Sequence, residues 1–274
     1  MLSGTGRGTP QARDFIMIYE TLTYAVDHNV AVITLNRPTV MNALNTQMRA
    51  EITDAMHQAG QAARVVVLTG SGRAFCSGQD LGAEGNFADI DLERTLKDEY
   101  VPMLKAITEC PVPTISAVNG PAAGAGANLA LAADVVIAAE SAYFVQAFTR
   151  IGLIPDAGGT YLLPRQIGLA KAMGAALFAD KIYARQASEI GMIWESVADE
   201  KFETQWQARA AHLASGPTET YGHVKTAIRQ SLSNSEEDQL ELEARLQGAC
   251  GRTRDFKEGV TAFLDKRTAK FEGR

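Results

Sequence analysis

Short apolar runs alternate with longer helix-period segments over the first two thirds of the chain. The apolar runs are rich in β-branched residues and end at turn-forming residues, which is typical of strands, and they lie at 30–35, 64–69, 113–118 and 135–138. The segments between them have apolar residues at helix spacing, which predicts helices over 45–57, 92–109 and 126–132. Strands that alternate with helices in this way indicate an α/β fold with parallel pairing.

The pattern changes after residue 200. Helix-period runs dominate from Phe202 to Lys266, with breaks at Gly216-Pro217 and Gly251. We therefore expect a core over residues 17–200 and a C-terminal helical region over 201–274. Residues 1–16 are rich in glycine, serine, threonine and arginine and lack an apolar centre, so we expect a disordered or upstream segment and no secretory signal.

Composition narrows the class of protein. The 274 residues, 46% of them hydrophobic, suffice for one large domain with a helical appendage. The net charge of −6 without a basic run disfavours binding to nucleic acid, and no stretch is long and apolar enough to predict a membrane span. Three widely spaced cysteines predict reduced thiols in a cytoplasmic protein, and neither they nor the four scattered histidines have metal-ligand spacing.

Two glycine-bearing turns each follow a predicted strand. One is Ser77-Gly78-Gln79, and the other runs from Asn119 to Asn128 with Gly124 and Gly126 in its centre. Each turn has a structural interpretation, as a tight connection packed against a neighbour. Because glycine lets a ligand approach the backbone closely, two such turns can also aim their N–H groups at one carbonyl oxygen and form an oxyanion hole.

A single carboxylate, Asp156, lies between Pro155 and a small Ala-Gly-Gly-Thr turn. An acid beside an oxyanion site is what proton transfer next to a carbonyl requires. Its apolar neighbours Phe144, Phe148 and Ile154 predict desolvation and a pKa above the roughly 3.9 of a free aspartate. Alternatively, Asp156 serves as the N-cap of the following helix, and the two roles are compatible.

Three segments resemble the crotonase (enoyl-CoA hydratase/isomerase) superfamily in order and spacing: 75–81, 118–134 and 154–160. The resemblance implies a ClpP-like spiral of ββα units with a C-terminal helical trimerisation region. It implies an acyl-CoA substrate, no cofactor beyond the CoA of that substrate, and a homotrimer or a dimer of trimers. By position, the oxyanion donors are the backbone N–H groups of Gln79 and Ala125.

The departures from the family pattern bear on the reaction. Hydratases of the superfamily use two glutamates, at the positions where this chain has Asn128 and Phe148. Asp156 stands where hydratases have glycine, and relatives with an acid there include dienoyl-CoA isomerases, which shuttle protons, and an aryl-CoA dehalogenase, which uses it as a nucleophile. The resemblance therefore favours an isomerase. A hydratase, a dehalogenase-like hydrolase and a non-catalytic CoA-binding protein remain as alternatives.

Within the superfamily, segments 124–131, 144–148 and 152–160 look like the branch of phenylacetate degradation that converts a ring-1,2-epoxyphenylacetyl thioester to an oxepin. A related activity moves a double bond from the 3,4 to the 2,3 position of an enoyl-CoA. The Gly82–Asp91 loop is expected to shape the acyl pocket, and Lys266 either approaches the CoA nucleotide or ends a solvated helix. Residues expected to contact substrate are Arg37, Ala43, Ser77, Gly78, Asp80, Leu81, Gly124, Asn128, Phe144, Phe148 and Lys266.

Overall fold

A six-stranded sheet forms the centre of the molecule in a computed structural model that describes residues 19–82 and 91–274. Its order is β1-β2-β3-β4-β6-β9, with β1 Leu22–Asp27, β2 Val30–Leu35, β3 Val65–Gly70, β4 Thr114–Val118, β6 Val135–Ala139 and β9 Glu195–Val197. β1 pairs antiparallel with β2 and every other neighbouring pair is parallel. The four strands that the sequence predicts are confirmed, and parallel pairing joins them.

A second sheet of three short strands lies beside the first. It consists of β5 Ala122–Ala123, β7 Tyr143–Val145 and β8 Ile182–Tyr183 in the order β5-β7-β8. The register pairs Ala122 with Phe144 and Ala123 with Val145, so this sheet anchors the start of the second glycine turn. Strands of two or three residues leave no alternation in the sequence, which is why the pattern did not reveal them.

Ten helices surround the sheets within the described ranges: α1 Thr46–Ala62, α2 Leu92–Thr95, α3 Val101–Thr108, α4 Ala125–Leu131, α5 Gly159–Phe178, α6 Ala184–Glu189, α7 Asp199–Ser215, α8 Thr218–Gln230, α9 Glu236–Cys250 and α10 Arg254–Leu264. Asn45 caps α1 by accepting a hydrogen bond from Met48 N at 2.9 Å. The predicted helix 92–109 contains a π-helical turn, Leu96–Tyr100, between α2 and α3. Such turns shift the helix face and occur often at functional sites.

Half-buried ion pairs connect α8, in the C-terminal helical region, to the core. Lys225 and Arg229 of α8 contact the carboxylate of Asp134 at 2.7 and 2.8 Å. Beyond α10, the chain folds back, and Arg64, just before β3, donates a hydrogen bond to Phe271 O at 3.2 Å. The division into units 17–200 and 201–274 stays a prediction.

Two predictions fall on parts of the chain outside the described residues. These are the segment 1–16 and most of the loop Gly82–Asp91. Among the described helices, none is long and apolar enough to cross a membrane.

Candidate active site

Three backbone segments lie side by side where β2, β3 and β4 end: 41–44, 75–80 and 121–126. Leu44 N donates to Gly78 O at 2.8 Å, and Asp80 N donates back to Leu44 O at 3.0 Å. On the other side, Ala123 N donates to Cys76 O at 2.9 Å. The turn around Gly78 is therefore held between two neighbours, and the second glycine turn is one of them.

The two glycine turns approach each other as closely as backbone allows. Gly78 has φ 95°, and a Cβ there would lie 2.8 Å from Ala123 O and 3.5 Å from Ala125 N. Gly124 has φ 52°. Only glycine fits at Gly78, because any side chain would separate the turns and strain the backbone. The amide of Ala125 thus lies against the first turn, as the sequence predicts.

The direction of the Gln79 amide follows from the same bonds. Gly78 O points towards Leu44 N. In a trans peptide the carbonyl and the N–H point to opposite sides, so the N–H of Gln79 points away from Leu44, towards the side on which Ala125 lies. Ala125 is the first residue of α4, and first-turn amides have no acceptor within a helix. Adjoining turns therefore present both predicted donors on one side.

Asp156 is half-buried just before α5. Its carbonyl oxygen accepts hydrogen bonds from Asn128 Nδ2 at 2.7 Å and from Gly159 N at 2.8 Å. The N-cap residue of α5 is Gly158, and no side chain caps the helix. The alternative prediction, that the Asp156 carboxylate caps this helix, is therefore wrong. Its Oδ1 is buried and has no hydrogen-bond partner among the described residues.

The surroundings of the carboxylate are apolar. Burial raises the pKa of Asp156 to about 6, and a hydrogen bond from its own backbone amide opposes the rise only partly. Phe148 is buried, and its ring would lie 3.8 Å from a Cβ on Gly124 in the second glycine turn. Ile154 does not contribute to the burial of Asp156, because it is 76% exposed. The predicted direction of the pKa shift agrees with the structure, but Ile154 is not one of its causes.

Apolar side chains from two helices lie near Gly158, two residues after Asp156. A Cβ on Gly158 would lie 3.6 Å from Leu162 of α5 and 3.8 Å from Leu104 of α3. Phe144 lies deeper, on β7, and is fully buried. The sequence pattern predicts Phe144 and Phe148 as site residues but neither leucine, because leucines at helix spacing look like ordinary core.

Asn128 lies behind Asp156 and is fully buried. Its Oδ1 accepts from Gln146 Nε2 at 2.8 Å while its Nδ2 holds the Asp156 carbonyl. A Cβ at Gly159 would come within 2.4 Å of Asn128 Nδ2, so this glycine makes room for the amide. Both ends of the Asn128 side chain are thus engaged with the protein, and its contact with substrate stays a prediction.

The 37–44 loop is braced by an ion pair. Arg37 Nη1 lies 2.7 Å from Asp80 Oδ2 and donates to Ala43 O at 2.6 Å. Asp80 Oδ1 also accepts from Gly82 N at 3.1 Å. Asp80 therefore supports the loop, and its predicted contact with substrate stays a prediction.

The remaining predicted contact residues differ in position. Ser77 donates to Val40 O at 3.2 Å, and Leu81 is 40% exposed at the edge of the first turn. Lys266 follows α10 and donates its backbone N–H to Phe263 O. Among the described residues, no hydrogen bond or ion pair joins Lys266 to the glycine turns or to Asp156, and its contact with substrate stays a prediction.

A buried polar cluster lies beside Gln79, and the sequence did not predict it. The Arg49 guanidinium on α1 pairs with Glu99 at 2.6 Å and donates to Gln79 Oε1 at 2.8 Å. The Tyr100 hydroxyl donates to the same Gln79 oxygen. Burial raises the pKa of Tyr100; the Arg49 charge opposes the rise and the Asp156 charge adds to it, so the phenol lies within electrostatic reach of Asp156.

The only sequence signal for this cluster is an arginine on the apolar face of α1. In the described part of the chain, no three histidine, cysteine, aspartate or glutamate side chains are grouped so as to hold a metal ion. The three cysteines are free.

Comparison with known proteins extends over nearly the whole chain. Residues 25–274 match the enoyl-CoA hydratase/isomerase family. A Rhodobacter capsulatus protein named probable enoyl-CoA hydratase is 61% identical, over 94% of this chain and 100% of its own. The 1,2-epoxyphenylacetyl-CoA isomerase of Escherichia coli is 45% identical, over 91% and 97%. The crystal structure of a Bacillus anthracis enoyl-CoA hydratase superposes with a TM-score of 0.86 at 31% identity, over 93% and 100%.

Proposed function

Because the chain belongs to the enoyl-CoA hydratase/isomerase family, we propose that it isomerises acyl-CoA thioesters. Asp156 transfers the proton, and the amides of Gln79 and Ala125 bind the thioester oxygen. The observation that carries this proposal is a carboxylate whose Oδ1 is buried and unbonded in an apolar setting. The backbone carbonyl of Asp156 accepts a hydrogen bond from Asn128, the last residue of the second glycine turn.

Proton removal next to a thioester requires both the oxyanion donors and the Asp156 carboxylate. An α-proton of a thioester is far too weakly acidic for a carboxylate in water. An oxyanion donor stabilises the enolate by about 3–4 kcal/mol, and burial makes Asp156, with its pKa of about 6, a stronger base. The carboxylate takes the proton at one carbon of an allylic system and returns it at the other, while the negative charge stays on the bound oxygen.

We further propose an acyl group related to ring-epoxidised phenylacetate or to a 3-enoyl chain. The support is the 45% identity to a protein named 1,2-epoxyphenylacetyl-CoA isomerase together with the apolar side chains of Leu104, Phe148 and Leu162, which lie near Gly158 and Gly124. An aromatic or olefinic acyl group is the kind that such a lining binds.

Hydration is the second candidate, because the 61% identical relative is named a probable hydratase. Water addition in this family uses two glutamates. Their positions here hold Asn128, whose amide is bonded at both ends, and Phe148, which cannot act as an acid or base. These side chains favour isomerisation over hydration.

The test assays the purified protein and Asp156→Asn side by side. A 3-enoyl-CoA and 1,2-epoxyphenylacetyl-CoA report isomerisation, and a 2-enoyl-CoA reports hydration. We expect isomerisation by the wild type and a loss of at least about 10³-fold in Asp156→Asn, since removing a general base from such a site abolishes its role. Isomerisation that survives in a folded Asp156→Asn, or hydration as the faster reaction, would reject the proposal. Absence of a stable mass adduct on Asp156 after incubation with aryl-CoA distinguishes proton transfer from nucleophilic attack.

We also propose that the protein is a cytoplasmic homotrimer or a dimer of trimers. Large apolar side chains on α5 and α10 are left exposed within one chain, with Phe178 75%, Phe263 81% and Leu264 72% exposed. Such surfaces need burial by a neighbour, and the family resemblance supplies the trimer. Light scattering at micromolar concentration tests this: a monomeric mass would contradict it.

A further inference from the structure

A buried arginine in a protein core calls for an explanation. Arg49 is 1% exposed, and its side chain is fully enclosed. It pairs with Glu99 through Nε at 2.9 Å and Nη2 at 2.6 Å. Placing an ion pair in the interior often gives no net stability, because desolvation offsets the attraction. Packing alone therefore does not account for an arginine here.

Besides a hydrogen bond from Nη2 to Thr46 Oγ1 at 3.1 Å, Arg49 binds the side chain of residue 79 and the backbone of its bridge partner. Its Nη1 donates to Leu44 O at 2.9 Å and to Gln79 Oε1 at 2.8 Å. Leu44 and Gln79 are partners in a parallel β-bridge, so one guanidinium nitrogen spans both sides of that bridge. The Leu44 backbone in turn holds Gly78 O and Asp80 N. Residue 79 is fixed through its backbone on both sides and through its side chain.

The π-helical turn supplies the rest of this clamp. Glu99 and Tyr100 are consecutive residues of Leu96–Tyr100, yet one binds Arg49 and the other donates to Gln79 Oε1. The Arg49 guanidinium also lies 4.9 Å from the centre of the Tyr100 ring. The irregular turn directs two adjacent side chains onto one cluster, which is a recognised use of such turns.

We propose that Arg49 is a positioning residue for the oxyanion site, acting with Tyr100 through the Gln79 side chain to keep the Gln79 amide aimed at the thioester oxygen. The inference rests on the proposed function, because it assumes that the Gln79 amide is an oxyanion donor. It adds that the side chain at position 79 has a role, although only the backbone of that residue meets the substrate.

Gln79→Met is the decisive variant. It keeps the backbone amide and most of the side-chain volume and removes the terminal carboxamide, including the oxygen that Arg49 and Tyr100 hold. Arg49→Met removes the other end of the clamp, and Tyr100→Phe removes one hydroxyl. Arg209→Met is the matched control, because it deletes an arginine that pairs with Glu195 on the exposed face of α7.

Steady-state kinetics on a 3-enoyl-CoA give the first readout. We expect Gln79→Met and Arg49→Met to lower kcat by about 10- to 100-fold with KM changed less than about threefold, because a misplaced donor weakens transition-state binding more than ground-state binding. In Tyr100→Phe, kcat should fall by about threefold, because this variant removes only one of several hydrogen bonds. Since Gln79 and Arg49 act as one unit, the double variant should be no slower than Arg49→Met.

The second readout does not depend on turnover. The infrared stretch of the thioester carbonyl is measured for a saturated acyl-CoA bound to each protein. We expect a shift to lower frequency on the wild type and on Arg209→Met, and the loss of most of that shift on Gln79→Met and Arg49→Met. A wild type that shows no shift would reject the proposed oxyanion site itself.

A normal shift and unchanged kcat in folded Gln79→Met would overturn the positioning role of Arg49 while leaving the proposed function intact. Arg49→Met removes the closer of the two arginines that pair with Glu99, so it is the variant at risk of misfolding. Should it misfold, Gln79→Met decides the question alone.

Discussion

The apolar setting of Asp156 predicts that the wild-type residue lowers the stability of the protein. The pKa of the carboxyl rises from 3.8 to about 6 on folding. Between these pH values the folded protein binds a proton that the unfolded chain has released. The folded state therefore loses stability relative to the unfolded state as the pH rises through this window. The penalty is absent below about pH 4 and complete above about pH 7.

The size of the effect follows from the shift. About two pKa units correspond to about 3 kcal/mol. Because Asp156 is only half-buried, solvent screening reduces this, and we expect about 1–2 kcal/mol. Asp156→Asn mimics the neutral carboxyl, and Oδ1 has no described hydrogen-bond partner to lose. The variant should therefore be more stable than the wild type by that amount at pH 8 and equally stable near pH 4.

Urea unfolding at both pH values measures this difference. Asp180→Asn controls for the loss of one exposed carboxylate. The same Asp156→Asn protein should be inactive, so stability and activity should change in opposite directions, as strained active sites predict. A variant that is equally or less stable than the wild type at pH 8 would refute the argument, since the carboxylate would then be well solvated or ion-paired.

Three further predictions concern the same site. The pH profile of kcat/KM on a 3-enoyl-CoA should show an acid limb near pH 6, because a base with a pKa of about 6 loses its ionised form below that value; a limb near pH 4 would contradict it. Asn128→Ala should lower the free energy of unfolding by about 2 kcal/mol, because the Gln146 amide loses a buried partner. It should also lower kcat, because the Asp156 carbonyl is released. An unchanged urea midpoint and an unchanged kcat would count against this. Gly78→Ala should lower the free energy of unfolding by about 2–3 kcal/mol, because its Cβ would lie 2.8 Å from Ala123 O and the backbone has φ 95°. A fully active and equally stable variant would show that the two turns need not touch.

The parts of the fold that follow from local pattern were predictable from the sequence. β2, β3, β4 and β6 are short β-branched runs between turn signals, and Asn45 marks the start of α1. The two glycine turns were recognisable because a close backbone approach restricts the residue type. Asp156 stood out because an acid beside small residues is uncommon in a core.

The parts that depend on convergence in space were not predictable. Arg49 meets Gln79 across 30 residues and Glu99 across 50, and no local pattern encodes such a meeting. The π-helical turn at Leu96–Tyr100 spans only five residues, too few for a change of period to show in the sequence. The prediction that Ile154 desolvates Asp156 was wrong for the same reason, because its neighbours along the chain do not determine which way its side chain points.

The central claim is that Asp156 removes an α-proton while adjoining amides hold the enolate oxygen. Exchange of the α-hydrogens of phenylacetyl-CoA with deuterium oxide, followed by NMR, tests this step without knowledge of the natural acyl group. Its α-hydrogens are activated by both the ring and the thioester, and no double bond is needed. We expect exchange by the wild type and by Arg209→Met, and its loss in folded Asp156→Asn. Exchange at the wild-type rate in Asp156→Asn, or none in the wild type, would rule out this role of Asp156.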